Sequence, residues 1–569
     1  MCGIAGIIGG YKESQLDAML DSQHHRGPDA TAKYFDTELV ALGHNRLAII
    51  DLSEQSNQPF IDNSGRYVLV FNGEIYNYIE IKAALQNQYD FKTESDTEVL
   101  LAAFIIYGES CLEKLNGMFA FAVWDNQEKK LFAARDRFGV KPFYYSLFNT
   151  TFYFSSEIKA LHAAGIPKAP NEQVWASYFA YGSYGMPDET FWSAIFQLPG
   201  GHFLKYEDKK LTIEKWYCFA TAVAKQPKDL TFEQAKEHYV ALLKDSINLR
   251  FRADVPMGFN VSGGLDSSVL LALINLQEDN FGINAYTFYT NNSDYDELPW
   301  VEKMITKTNN PLEKVLLQAE EVSALAQKVA WQQDEPFGGI PTLAYAKIFE
   351  QARKDGVLVL LDGQGMDEQW AGYDYYTQNN EATIQGVQDS PYKINMLANS
   401  FRAKSVKPSY PKLFENEILN KQYRDLFYTK IPRALRFNDR ISMAFSTELR
   451  EPFLDYRLVE FAFSLPLDFK IKEGISKFIL REIASEYLAD DLVFAPKRPL
   501  QTPQREWLST DLKEWVTQCF VELEKSVYSS WFNKNVLKNE LKSYFDGNIQ
   551  SSFHIWQCIS LYEMIKIIG

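Results

Sequence analysis

Hydrophobic and polar positions along the chain change rhythm once, near residue 215. Before that point apolar residues fall in short runs separated by turn-forming residues. RYVLVFNGEIYN (66–77) reads as an apolar strand running into an Asn-Gly turn. MFAFAVWD and KKLFAARD read as the two halves of a hairpin with a polar turn between them. FYYSLFNTTFYFSS repeats the pattern with Asn-Thr at its turn. DTEVLLAAFIIYG has helical spacing, with Asp96 as its expected N-cap. This region is expected to be α+β with antiparallel sheets. It closes on YGSYGMPDETFWSAIFQLPGGHFLKYEDKKL, a Gly- and Pro-rich covering loop followed by a hairpin.

The rhythm then lengthens. FEQAKEHYVALLKDSINLRF predicts a long helix, and GFNV, SGGLDSS, VLLALINL predict strand, Gly-rich turn and helix. Buried strands are expected at INAYTFY, KVLLQ and VLVLLD, separated by helical stretches, and the chain is mostly helical from KINMLANSF onward. Alternation of this kind implies a doubly wound parallel sheet. With 569 residues the chain exceeds what one core organises, so two domains are expected, at 1–215 and 216–569.

Composition narrows the class. At 46% hydrophobic and 23% charged residues the chain is an ordinary folded protein, and no apolar run approaches the roughly 18 residues of a membrane span. GIAGIIGG lacks a basic leader, so a cytoplasmic protein with no membrane partner is expected. The formal charge of −16 argues against a nucleic-acid partner. Cys2, Cys111, Cys218, Cys519 and Cys558 form no CxxC pair, which indicates neither a disulfide framework nor a structural zinc site.

Two Gly-rich loops carry candidate chemistry. In SGGLDSS (262–268), consecutive glycines let backbone N–H groups converge on an anion at a helix N-terminus. GxxxxGK[ST] is absent, and the loop matches that of ATP pyrophosphatases, which form acyl-adenylates. LLDGQGMDEQWAGY (360–373) again follows an apolar strand. Asp367 and Glu368 are therefore expected to approach Asp266 in the crevice at the carboxyl ends of the strands, where paired carboxylates suit Mg2+. A solvated acidic turn remains the alternative. ISKFILRE places Lys477 and Arg481 one helical turn apart, either as a surface ion-pair face or with Lys477 neutralising phosphate.

Near the start, Cys2 becomes N-terminal once Met1 is removed, which would place a thiol nucleophile and an α-amine base on one residue. Alone it reads equally as a small buried thiol. HHRGPDA, HNRLAIID, FNGEIYN and TESDTEVL supply an Arg, an Asn-Gly-Glu and an Asp suited to the α-carboxyl and α-amino groups of an amino acid.

Taken in order, these motifs resemble glutamine-dependent asparagine synthetases over essentially the whole chain. MCGIAG, HRGPD, NRLAIIDLS, NGEIYN, SDTEVL, NGMFAFAVWD and RDRFGVKPFYY match a class II glutamine amidotransferase domain, an N-terminal-nucleophile αββα sandwich. DVPMGFNVSGGLDSS, DEPFGGIPT, DGQGMDE and RFNDRISMAFSTELREPFLD match an ATP-pyrophosphatase synthetase domain. The resemblance implies that Cys2 attacks the glutamine amide, with Asn72 and Gly73 as oxyanion hole. Arg46 and the backbone of Leu47, Ala48, Ile49 and Ile50 would hold substrate with Glu74 and Asp96. It implies ATP contacts from Asn260, Ser262, Gly263, Gly264, Asp266, Ser267, Phe288, Asp362, Gly363 and Lys477, with Mg2+ on Asp266 and Asp367. Ammonia would cross between the sites through a buried tunnel, and the family is compatible with a homodimer.

Where the family usually reads SGEGADE, this chain reads DGQGMDE. Asp362 replaces Ser, Met366 replaces a small residue, and Gln364 replaces a Glu thought to assist adenylate formation and ammonia attack. A glutamine accepts no proton as a base. The expected activity is ATP- and glutamine-dependent amidation of aspartate, giving asparagine, glutamate, AMP and pyrophosphate. The alternatives are the same chemistry on another carboxylate, such as a sugar uronate in surface-polysaccharide synthesis, or a glutaminase with a non-catalytic nucleotide-binding domain.

Overall fold

The computed structural model describes residues 1–36, 39–276, 282–378, 384, 390–495 and 502–568. Twelve strands form the N-terminal region: β1 (Gly3–Ile8), β2 (Ala30–Asp36), β3 (Val40–Arg46), β4 (Phe60–Ile61), β5 (Tyr67–Ile75), β6 (Gly117–Asp125), β7 (Lys130–Arg135), β8 (Tyr144–Phe148), β9 (Thr151–Ser155), β10 (Phe196–Gln197), β11 (His202–Glu207) and β12 (Lys210–Lys215). They build two six-stranded antiparallel sheets, ordered β10-β8-β9-β1-β3-β2 and β12-β11-β7-β6-β5-β4. Ile4, Val70, Trp124, Phe143 and Phe154 pack between the sheets. The outer face of the second sheet is covered by the helix Asp96–Tyr107, and the first by Glu13–Ser22 and Ile158–Ala163. The result is an αββα sandwich, as the resemblance implied.

Two local expectations are corrected. Asn72-Gly73 is not a turn: β5 pairs with β6 through both residues, as far as Ile75 opposite Gly117. The apolar run before Asn72 continues beyond it, and pairing on a buried sheet overrides the turn preference of the dipeptide. Nor does Asp96 cap its helix. Ser95 is the N-cap, accepting from the Thr97 N–H at 3.1 Å. The Asp96 carboxylate is thereby left to accept from the Ile75 N–H at 2.9 Å.

The second region contains β13 (Met257–Asn260), β14 (Asn284–Tyr289), β15 (Leu312–Leu316), β16 (Val359–Leu361) and β17 (Glu448–Arg450), all parallel in the order β15-β14-β13-β16-β17. The long helix Phe232–Arg250 is present as expected, opened by a capping box at Thr231 and Gln234. Strand order reverses between β13 and β16. The loops after them, SGGLDSS and DGQGMDE, therefore flank the crevice where an open α/β sheet binds ligands. No described helix is long and apolar enough to cross a membrane.

Candidate active site

In the N-terminal sandwich, Cys2 immediately precedes β1 and is buried. Its backbone N–H donates to Asn72 Oδ1 at 2.9 Å, and its thiol lies 3.9 Å from the Leu47 carbonyl. Antiparallel pairing places Asn72-Gly73-Glu74 against Met118–Ala120. A Cβ on Gly73 would fall 2.0 Å from the Met118 carbonyl oxygen, so only glycine admits this approach. The Asn72 Nδ2 and Glu74 Oε2 atoms are buried without a hydrogen-bond partner among the described residues. Arg46 is anchored by the carbonyls of Asp51 and Ser53 and by Asn57 Oδ1.

Met1 precedes Cys2, so the Cys2 nitrogen is here a peptide amide. The Met1 side chain packs with Leu47, Ile49, Ile50 and Met443, inside the expected substrate pocket. Its ammonium donates to Glu448 Oε2 at 2.8 Å, both groups being fully buried. Burial alone would raise the Glu448 carboxyl, but the ammonium and Arg450 pull it down to about 2. Burial pushes Cys2 upward against the partial relief of the nearby ammonium. Glu74 is raised by burial and by Glu448, and Asp96 is raised by burial to about 6. A buried acidic trio, Glu74, Asp96 and Glu448, thus surrounds the site of an α-ammonium.

Several residues that join this pocket to the second region carried no role in the sequence reading. Arg26, fully buried, donates to the Cys2 carbonyl at 3.0 Å and to Glu157 at 2.9 Å, and is bidentate to Asp439 at 2.9 and 3.2 Å. Arg450 pairs with Glu448 and approaches Glu74 at 3.6 Å. The motifs HRGPD and RFNDRISMAFSTELREPFLD contained these residues, but nothing in one sequence marks Arg26 and Asp439, 413 positions apart, as partners. The 46–51 loop is also tied across: the Asp254 N–H donates to the Ile49 carbonyl, and the Asp51 N–H to Asp254 Oδ2, both at 2.8 Å.

In the second region, Ser262, Gly263 and Gly264 form a turn closed by Ser262–Ser267 and Ser267–Gly264 hydrogen bonds. Asp266 lies in the first turn of the helix Leu265–Asn275. The 262–268 loop faces the β16 loop: a Cβ on Gly363 would lie 3.5 Å from the Ser267 nitrogen. Asn260 Nδ2 donates to Asp362 Oδ2 at 3.3 Å. A pocket beside the loop is lined by Asn260, Ser262, Phe288, Tyr295 and Tyr345.

Asp266 and Asp367 converge on Lys477 Nζ, each at 2.6 Å. Burial opposes charge on Lys477, yet the two carboxylates raise its pKa. The approach needs Gly372, where a Cβ would meet both Asp367 and Lys477. Lys477 is the N-cap of the helix Phe478–Ala484 and has φ 56°, so it does not share a helical face with Arg481. Arg481 instead donates to the Ser476 and Val493 carbonyls. Glu368 departs from expectation as well: it turns from the crevice, accepts from Tyr373 at 2.8 Å, and is raised by burial and Asp367 to about 7.

Among the described residues no set of three or more His, Cys, Asp or Glu side chains forms a metal site. Two converging carboxylates nevertheless fit Mg2+, which commonly takes one or two carboxylates and completes its shell with substrate phosphates.

An αββα sandwich joined to a parallel α/β sheet with two Gly-rich loops at its switch point is the architecture expected of a glutamine amidotransferase fused to a synthase. A glutamine amidotransferase domain family matches residues 1–217, and the asparagine synthase family matches residues 238–566. The chain is 27% identical to asparagine synthetase [glutamine-hydrolyzing] 1 of Bacillus subtilis, over 98% of this chain and 95% of that protein. It is 30% identical to asparagine synthetase [glutamine-hydrolyzing] 3 of the same organism, over 91% and 89%. It is also 27% identical to amidase chry2 of Gibberella zeae, over 92% of each. The chain belongs to the asparagine synthase family and is an enzyme of its glutamine-hydrolysing ligase class.

Proposed function

We propose that the protein transfers the amide nitrogen of glutamine to a carboxylate activated by ATP, with aspartate as the first acceptor to test. The observation that carries the reading is the convergence of Asp266, Asp367 and Lys477 at the carboxyl ends of β13 and β16. The two carboxylates would hold a divalent cation and Lys477 would face the phosphates, where the fold exposes two Gly-rich loops.

The first half-reaction requires Met1 to be removed. The Cys2 amine then becomes the base that takes the thiol proton, and the thiol attacks the glutamine amide carbon. Asn72 Nδ2, without a partner among the described residues, and the Gly73 N–H supply the oxyanion donors; losing one typically costs about 10²–10³-fold in rate. Glu74 and Asp96 receive the substrate α-ammonium in the acidic pocket that Met1 fills here, and Arg46 its α-carboxylate. Collapse releases ammonia and leaves a glutamyl thioester for hydrolysis.

In the second half-reaction Asn260, Phe288 and the backbone at Asp362–Gly363 hold the adenosine. Ser262, Gly263, Gly264 and Ser267 cradle the phosphates. Lys477 neutralises charge on the departing pyrophosphate. Asp266 and Asp367 would hold Mg2+, which when bound supplies charge neutralisation at the phosphates. The acceptor carboxylate attacks the α-phosphate, and the resulting acyl-adenylate is attacked by ammonia. The protein is proposed to act in the cytoplasm on small molecules, with domains dividing near residue 215.

Pyrophosphate release assayed against a panel of carboxylates tests this. Release stimulated by aspartate supports the reading; stimulation only by another acid, such as a uronate, moves the acceptor. Glutamine hydrolysis without AMP under every acceptor would overturn it in favour of a glutaminase with a binding domain.

A further inference from the structure

Gln364 leaves the adenylate loop without the carboxyl that its family usually has there, yet the structure places another one at the same crevice. β16 and β17 are adjacent and parallel, with Leu361 in register with Arg450, and the Asp362 N–H donates to the Arg450 carbonyl at 2.9 Å. The residue that follows β17 is Glu451, which therefore lies beside Asp362 at the mouth of the adenylate loop.

Glu451 is 5% exposed, and among the described residues its carboxyl makes no hydrogen bond or ion pair. Burial penalises this charge, and Lys141 and Arg250 offset the penalty only in part. It lines a small cavity together with Tyr76, Met118, Asp136, Arg137 and Arg250. Tyr76 and Met118 are the other wall: Met118 is the β6 partner of Glu74, in the strand pair that carries Asn72 and Gly73. One end of this cavity therefore touches the glutaminase strands and the other touches the residue next to Asp362.

Resting on the function proposed above, we infer that Glu451 is the group that accepts a proton from the attacking nitrogen during amidation. As ammonia attacks the adenylate carbonyl carbon, the C–N bond forms and the nitrogen becomes cationic. The Glu451 carboxylate takes one N–H proton, the C–O bond to phosphate breaks, and AMP leaves with the electron pair. The proton then passes to water as products depart. The role that Gln364 cannot fill is thus carried by the neighbouring strand.

The charged groups facing Glu451 are Lys141, Arg250, Asp362 and Asp439, with Asp136 and Arg137 across the cavity. Burial raises Glu451 to about 8, Lys141 offsets this in part, and Asp362 adds to it. A carboxylate of that basicity is well matched to proton transfer near neutral pH.

The test is Glu451→Gln in the full-length enzyme, with the acceptor identified by the pyrophosphate panel. Glutamine hydrolysis and acceptor-dependent ATP–pyrophosphate exchange should stay within about threefold of wild type. Amide formation from either glutamine or added ammonium should fall roughly 10²–10⁴-fold, the range for loss of general base catalysis. Glu451→Asp should retain at least about a tenth of the synthetic rate. The wild-type synthetic rate should rise with pH through about 8 as Glu451 ionises, and E451Q should lose that limb. Synthesis by E451Q within threefold of wild type would overturn the inference, as would an equal loss of exchange and synthesis, which marks a structural role. Absence of acceptor-dependent exchange in the wild type would refute the proposed function instead.

Discussion

Arg26 links the two domains through a bidentate pair with Asp439, and Arg26→Met tests what it does. The substitution keeps most of the side-chain volume and removes the charge. Glu157 retains Lys159 and Arg440, whereas Asp439 loses its bidentate partner and keeps Arg440 at 3.8 Å and the more distant charge of Lys141. Asp439 is 5% exposed, so its carboxylate is left buried and poorly compensated. Breaking a buried pair from one side costs about 3–5 kcal/mol. At roughly 2–4 °C per kcal/mol for a domain of this size, the melting temperature should fall by roughly 6–20 °C. Arg26→Met with Asp439→Asn removes the orphaned charge and should recover at least half of that loss.

The pH dependence follows from the same pair. Burial alone would raise the Asp439 carboxyl, but Arg26 holds it below its ordinary value. Its stabilisation is therefore fully present above the unfolded value of about 3.9 and is lost as pH falls through the folded one. The gap between wild type and R26M should be full at pH 7 and shrink below about pH 4. Urea unfolding at several pH values measures it. A loss under about 1 kcal/mol at pH 7, or a gap that does not close in acid, would refute the reasoning.

Cys2→Ala should abolish glutamine-dependent synthesis and leave ammonia-dependent synthesis intact; loss of both contradicts two separable sites. Gly73→Ala should cut glutamine hydrolysis by about 10²–10³-fold with acceptor-dependent pyrophosphate release preserved, because the new Cβ drives β5 away from the Met118 carbonyl. Hydrolysis near the wild-type rate would show that this strand pair is not the oxyanion donor. The folded state holds Asp96 and Asp362 near 6 and Glu451 near 8, so these three groups bind more protons folded than unfolded between about pH 4 and 8. Their stabilising contribution is present below about pH 4 and declines as pH rises to 8. Urea midpoints at pH 5 and 8 should differ more in wild type than in E451Q, and an unchanged difference would count against the burial of this carboxyl.

The antiparallel sandwich, the parallel sheet and both Gly-rich loops were legible because hydrophobic period and turn residues report local structure directly. The Asn72-Gly73 turn was misread because a dipeptide preference of limited strength yields to nine residues of sheet pairing. The Asp96 cap was misplaced by one residue, since Ser95 and Asp96 are both good cap residues and only the contact to Ile75 separates them. The bridge that Lys477 makes between two carboxylates was not legible, because it depends on a left-handed backbone and on Gly372. Arg26, Asp439, Glu448 and Glu451 were illegible for one reason. Each acts across the domain boundary, where neither spacing nor periodicity carries information.

The central claim is that nitrogen from glutamine reaches an adenylated carboxylate inside one molecule. Glutamine labelled with ¹⁵N at the amide, supplied with ATP, the acceptor and an excess of unlabelled ammonium, tests it directly. The account predicts product carrying mainly ¹⁵N, with AMP and labelled amide formed in equal amounts. Product carrying the nitrogen of the surrounding ammonium, or glutamate formed without AMP, would contradict it.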